Sequence, residues 1–206
     1  MSITTYAELQ SAIADWLLRT DLTAVIPTFI ALSEAQMNRE IRDHRMVKRS
    51  TAAVDDAYTA VPGDWLENIR FQLNTSPITT LEFVTPDQAA EEKHLYSSSG
   101  RPAFFTMIGE EFQVVPGPDS SYTGELTYYS KIPALSDSNT SNWLLSMSPD
   151  LYLYGALIQA SPYLDDDQRT GTWAQLYQRA ADGLRVADQR ARIGSSSIRM
   201  RAKAMA

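Results

Sequence analysis

The side chains in this sequence with chemistry to offer are carboxylates, two histidines and a set of aromatic rings; there is no cysteine. Asp165-Asp166-Asp167 is the densest acidic run. Successive helical residues point about 100° apart, so three adjacent carboxylates diverge around the axis. The run reads as a solvated helix start that complements the helix dipole. Asp55-Asp56 reads as a hairpin turn. His44 and His94 each follow a charged helical segment and show no metal-ligand spacing. They read as exposed, solitary imidazoles. Folding could bring together a carboxylate pair, such as Glu91 with Glu111, for glycosidase-type chemistry. There, one carboxyl group protonates the leaving oxygen and the other acts as nucleophile or base. No GxGxxG, Walker or GxSxG pattern occurs, and no thiol exists to act as nucleophile. The expectation is a protein with no catalytic residue, no cofactor and no bound metal.

Binding is the chemistry that remains. Trp143, Tyr152, Tyr154, Tyr163, Trp173 and Tyr177 could stack on bases or sugars, but their helical spacing and apolar neighbours point to core or subunit packing. With 18 Lys and Arg against 25 Asp and Glu, the formal net charge is −7. That balance argues against a general nucleic-acid binder, whose affinity rests on clustered cations. The charge is uneven, however. Arg190, Arg192, Arg199, Arg201 and Lys203 close the chain without an acidic residue among them, so this end is expected to bind a partner. The start, MSITTYAELQ, lacks the pattern of a signal peptide, and no apolar run reaches membrane-spanning length. The sequence reads as a soluble, non-exported protein that does not touch a membrane.

Helices must carry much of this. Thr5 and Glu8 have capping-box spacing ahead of an apolar stripe of Tyr6, Leu9, Ile13, Trp16 and Leu17. Thr20-Asp21 ends this helix and is placed to cap a second, from about 23 to 43. Pro27 lies in its first turn, Ile26, Ile30, Met37 and Ile41 share one face with Phe29 beside it, and Glu34, Asn38, Arg39, Glu40 and Arg42 occupy the polar faces. From Met46 to Ser130 the period shortens to two. Val47-Arg49-Thr51, Ile69-Phe71-Leu73, Leu81-Phe83, Phe105-Met107, Phe112-Val114 and Leu126-Tyr128 predict about six strands of one small antiparallel sheet or barrel. Gly109-Glu110 forms a hairpin between two of them. One helix interrupts, at about 86–96, with Thr85 and Gln88 as its capping box. Ser136 to Asn142 is a polar loop of the kind that carries contacts, with Ser136, Asp137, Asn139 and Asn142 as candidate docking residues. Ser148-Pro149-Asp150 then starts a helix that is apolar nearly all round and therefore buried. Asp165 with Gln168 caps a last, long helix bearing Trp173, Leu176, Tyr177, Ala180, Leu184, Ala187 and Ala191. Gly194 terminates it.

Four segments, in order, resemble the head-to-tail adaptor (connector, or head-completion) proteins of tailed bacteriophages. IPTFIALSEAQMNREIR, from Ile26 to Arg42, is similar to that family's IPxFIxLAExxxNRxLR helix. VPGDWLENIRF, from Val61 to Phe71, is similar to its LPxDFLExRxL segment. YYSKIPALSDSNTSNWLL, from Tyr128 to Leu145, resembles the stretch entering the family's central helix, and PDLYLYGALIQASPYLDDDQR, from Pro149 to Arg169, resembles that helix itself. The resemblance spans most of residues 1–193.

The resemblance implies an α+β fold: an antiparallel-type helical bundle of two N-terminal and two C-terminal helices, at 1–45 and 143–193, with an inserted small antiparallel β domain at 46–130. A docking loop at 131–142 and a flexible basic tail at 194–206 complete it. It implies a structural virion protein of the neck, assembled in the host bacterial cytoplasm. Its partners would be copies of itself in a ring of about twelve, the portal protein, and a downstream tail or nozzle protein. DNA would pass through without specific binding. Two other classes stay open at this point: a cell-wall glycosidase used as the phage enters its host, suggested by the carboxylates, and a nucleic-acid-binding packaging or regulatory protein, suggested by the basic end.

Overall fold

The computed structural model describes residues 3–19, 21–96, 98–164 and 169–193. Among them the chain is mixed α+β. In order it runs α1 (Tyr6–Leu17), α2 (Ile26–Glu40), β1 (Val47–Val54), β2 (Tyr58–Ala60), β3 (Trp65–Leu73), β4 (Thr79–Thr80), β5 (Glu82–Phe83), α3 (Pro86–Leu95), β6 (Phe104–Ile108), β7 (Glu111–Val115), β8 (Tyr122–Ser130), α4 (Trp143–Met147), α5 (Pro149–Ala160) and α6 (Thr170–Ile193). It divides into two compact units, Met1–His44 with Ile132–Ala206, and Arg45–Lys131.

The first unit is helical. Thr5 caps α1 with the reciprocal Thr5–Glu8 bonds of a capping box. Tyr6, Leu9, Ala12, Ile13 and Leu17 are buried. Trp16, assigned to the stripe by spacing, is 44% exposed instead. It lies one residue off the centre of the buried face and meets the edge of the Tyr154 ring. The end of α1 also differs from expectation. Leu18 adopts the left-handed conformation, φ 54°, and its N–H closes the helix. Asp21 pairs with Arg19 at 2.6 Å and does not cap α2. Val25 stands at that position without a side-chain bond, which Pro27 makes tolerable because it removes one donor from the first turn. α5 is the buried centre, with Leu151, Tyr152, Leu153, Gly155, Ala156, Leu157 and Ala160 enclosed. The one-turn α4, capped by Asn142, precedes it. Ser148 makes no side-chain cap bond to α5. On α6 the buried stripe is Trp173, Tyr177, Ala181, Leu184 and Asp188. Ala187 and Ala191, predicted for that stripe, are exposed. The proposed cap at Asp165 and Gln168 lies outside the described residues.

Among the described residues the second unit holds eight strands in two four-stranded sheets, where the sequence predicted about six strands in one. The orders are β1-β8-β3-β4 and β2-β7-β6-β5. Every pairing is antiparallel except β5 with β6. Asp55-Asp56 lies at a bend and not in a hairpin, because β1 and β2 on either side of it enter different sheets. One core serves both: Val54, Phe71, Leu73, Leu126 and Tyr128 from the first sheet, Phe105, Phe112 and Val114 from the second, and Leu81. The rings of Phe71, Phe105 and Phe112 sit 5.3–5.8 Å apart, two of the three contacts being edge-on, the arrangement that ring quadrupoles favour. Ile69 breaks the expected alternation. Asn68 pairs with Tyr128 and Arg70 with Thr127, leaving Ile69 as the extra residue of a bulge, and it is exposed while Phe71 is buried. Gly109, φ +63°, turns the β6–β7 hairpin. α3 keeps its Thr85–Gln88 capping box.

Candidate docking surface

The loop from Ile132 to Asn142 is shaped by side chains of the helical unit. The Ile132 N–H donates to Asn38 Oδ1 at 2.8 Å and the Leu135 N–H to Glu34 Oε1 at 2.9 Å. The Tyr6 N–H donates to the Thr140 carbonyl at 2.7 Å. Ile132 and Leu135 drop into the core. Inside the loop, Ser136 and Asn139 exchange backbone bonds of 3.0 and 3.1 Å, and the Asn139 amide donates to the Ala134 carbonyl at 2.7 Å. Asp137 and Ser138 are left at an exposed tip.

Asn142 is not part of that exposed tip. It is buried, and its amide donates to the Pro133 carbonyl at 2.8 Å and to Tyr152 Oη at 2.7 Å. Its Oδ1 accepts from the Leu145 N–H at 2.8 Å, capping α4. Tyr152 Oη in turn donates to Glu34 Oε1 at 3.1 Å. Glu34, predicted on a polar face of α2, is therefore buried among partners that only the fold supplies. Burial pushes its carboxyl above the ordinary range, against the opposing bonds from Leu135 and Tyr152. Burial and the neighbouring Glu34 likewise raise the Tyr152 phenol. The result is a polar network that holds the loop on either side of its exposed tip.

The basic end is divided. Arg190 is exposed on the last turns of α6. Arg192 is engaged: its Nε lies 2.7 Å from Asp188 Oδ2. Arg199, Arg201 and Lys203 lie outside the described residues, as does Asp165-Asp166-Asp167. Of the two histidines, His94 is exposed, but His44 is only partly so. Its Nδ1 sits 2.7 Å from Asp188 Oδ1 and 3.3 Å from Asp43 Oδ1. Asp43, His44 and Asp188 are the group among the described residues whose ligand atoms lie close enough to hold a metal ion, all within 4.8 Å of one another. No local sequence signal could have found this cluster, because 144 residues separate His44 from Asp188. Burial raises the Asp188 carboxyl, but bonds from His44 and Arg192 outweigh it and hold the group below the ordinary range.

Glu91 on α3 and Glu111 on β7 are both exposed, without the apolar enclosure that keeps a glycosidase acid protonated. The aromatic series divides. Tyr152, Trp173 and Tyr177 are buried, with Tyr177 Oη on Glu40 Oε2 at 3.1 Å. Tyr163 is exposed and meets the edge of Phe29. No described helix is long and apolar enough to cross a membrane.

Residues 4–201 match the family of the SU10 adaptor protein. The match covers nearly the whole chain and takes in both compact units. The chain belongs to the SU10 adaptor protein family. This is a family of phage structural adaptors, a class whose work is contact between proteins. No protein of curated function matches the chain. In the helical unit of this SU10 adaptor protein, Asp137 at the tip of the loop and Arg190 near the end of α6 are exposed.

Proposed function

We propose that this protein is a head-to-tail adaptor: a ring of about twelve copies seated beneath the portal in the virion neck, extending the DNA channel and receiving the next tail or nozzle protein. The observation that carries the reading is the family match, which runs through the helical unit and the β unit alike. The −7 net charge supports a conduit, since a wall of like sign keeps phosphates from sticking. The loop supports docking, because Ser136, Asp137 and Asn139 are presented on a backbone that is already fixed, and less entropy is then lost on contact. The end of α6, with Arg190, and the basic residues Arg199, Arg201 and Lys203 are proposed to reach the portal. Arg192 contributes by orienting that end through Asp188.

Electron microscopy of purified portal mixed with this protein tests the proposal. An added ring of density is expected. Absence of any complex across a range of salt and concentration refutes it. A chain ending at Gly194 is expected to give the same unfolding transition but weaker portal attachment; unchanged attachment removes the last residues from the mechanism.

A further inference from the structure

The geometry points to a binding site for one divalent transition-metal ion, of the zinc, cobalt or nickel kind, ligated by His44 Nδ1 and by one carboxylate oxygen each from Asp43 and Asp188. The donor set mixes an imidazole nitrogen with two carboxylate oxygens. An imidazole suits such ions, whereas calcium and magnesium take oxygen ligands. The three donors lie within 4.8 Å of one another. In a tetrahedral site with metal–ligand bonds of about 2.0–2.2 Å, ligand atoms sit about 3.3 Å apart. The 3.3 Å between His44 Nδ1 and Asp43 Oδ1 already has that spacing. The 2.7 Å between Nδ1 and Asp188 Oδ1 is the contact that must open, when the ion replaces the shared proton.

The carboxylates of the cluster are held in little water. The Asp43 side chain is 1% exposed and that of Asp188 10%. Asp188 already has Arg192 on its far oxygen, so what the cluster offers an ion is the near oxygens of the two carboxylates beside the imidazole. The outer shell is also in place: Arg192 Nε holds the far oxygen of Asp188 at 2.7 Å, and the His44 N–H holds the near one at 2.8 Å. Such bonds fix the direction in which a carboxylate offers its remaining lone pair. The His44 side chain, 39% exposed, lies on the open side, where the ion enters and water completes the coordination. Asp43 and His44 follow α2, and Asp188 lies near the end of α6. A bound ion therefore ties the two helix ends together beside Arg190.

Full-length protein stripped with chelator and titrated with Co²⁺ provides the test. A visible absorption band saturating at one ion per chain, and displaced by Zn²⁺, is expected. His44→Asn and Asp188→Asn should abolish it, and Arg192→Gln should weaken binding about 10-fold, the usual effect of losing an outer-shell partner. If Asp188→Asn does not fold by circular dichroism, His44→Asn decides, since it alters a partly exposed side chain. Absence of saturable one-to-one binding in the wild-type protein overturns the proposal. So does an unchanged spectrum in His44→Asn, which would put the ion elsewhere.

Discussion

Gly155 sits in the middle of α5, where a Gly→Ala change ordinarily stabilises a helix by about 1 kcal/mol. The opposite is expected here. A Cβ built on Gly155 would stand 2.2 Å from Ser33 Oγ, 3.2 Å from Met37 Cε and 3.3 Å from Tyr177 Cε2. Three sides are thus occupied, by two residues of α2 and one of α6. Overpacking of this kind costs roughly 1–3 kcal/mol, which exceeds or cancels the propensity gain. Ser33 Oγ is the nearest obstacle, and it is buried without a hydrogen-bond partner. Ser33→Ala removes that lone hydroxyl and should be neutral or stabilising, because no bond is lost with it. The pair makes a double-mutant cycle, read by urea unfolding at 25 °C with circular dichroism at 222 nm. Gly155→Ala should lower stability by up to about 2 kcal/mol, the overpacking cost less the propensity gain. The double variant should recover part of the loss, with a coupling energy above about 0.5 kcal/mol. A Gly155→Ala protein more stable than wild type would refute the close approach of α2 and α5. Strict additivity would show that Ser33 is not the group in the way.

Leu18 is 83% exposed in a left-handed conformation, so Leu18→Gly should raise stability by about 1 kcal/mol by relieving Cβ strain at little packing cost; a lower thermal midpoint would contradict this. Gly124→Ala would place a Cβ 2.7 Å from Val54 Cγ2 and 3.0 Å from Phe71 Cε2, and should destabilise the β unit by roughly 1–3 kcal/mol in thermal melts. Glu34 has a raised carboxyl pKa in the fold, so its contribution is fully present below the unfolded carboxyl value and fades as pH rises through the folded one. Wild type should therefore gain stability relative to Glu34→Gln as pH falls from 7 toward 4.5, and a pH-independent difference would sink the assignment.

What the sequence revealed of this fold is what neighbours in the chain decide. The Thr5–Glu8 and Thr85–Gln88 boxes bond within three residues, and the Gly109 turn needs only one residue able to take a positive φ. Local pattern was insufficient where a distant partner intervened. Glu34 looks like a surface residue until Leu135 and Tyr152, over a hundred positions away, supply its bonds. Ile69 fits an alternating strand, and only the register against β8 makes it the extra residue of a bulge. The same applies to the loop from Ile132 to Asn142. Its polar composition is legible, yet composition does not separate the outward Asp137 from the inward Asn142. Hydrogen bonds from Asn142 to Pro133 and Tyr152 make that separation.

That separation bears on how an adaptor of this family can present a contact. A loop held by apolar packing alone can slide, since one apolar contact substitutes for another at small cost. A network such as Glu34–Tyr152–Asn142 admits few alternatives, because any shift leaves a buried donor or acceptor without a partner at roughly 1–3 kcal/mol each. Within the loop, the Leu135 N–H and Asn142 both belong to it, so the backbone is fixed on either side of Ser136–Asn139. The stability of the helical unit could be had from leucines in these places. The defined position of an exposed loop tip could not, and a surface that must meet a partner in one register depends on position more than on stability.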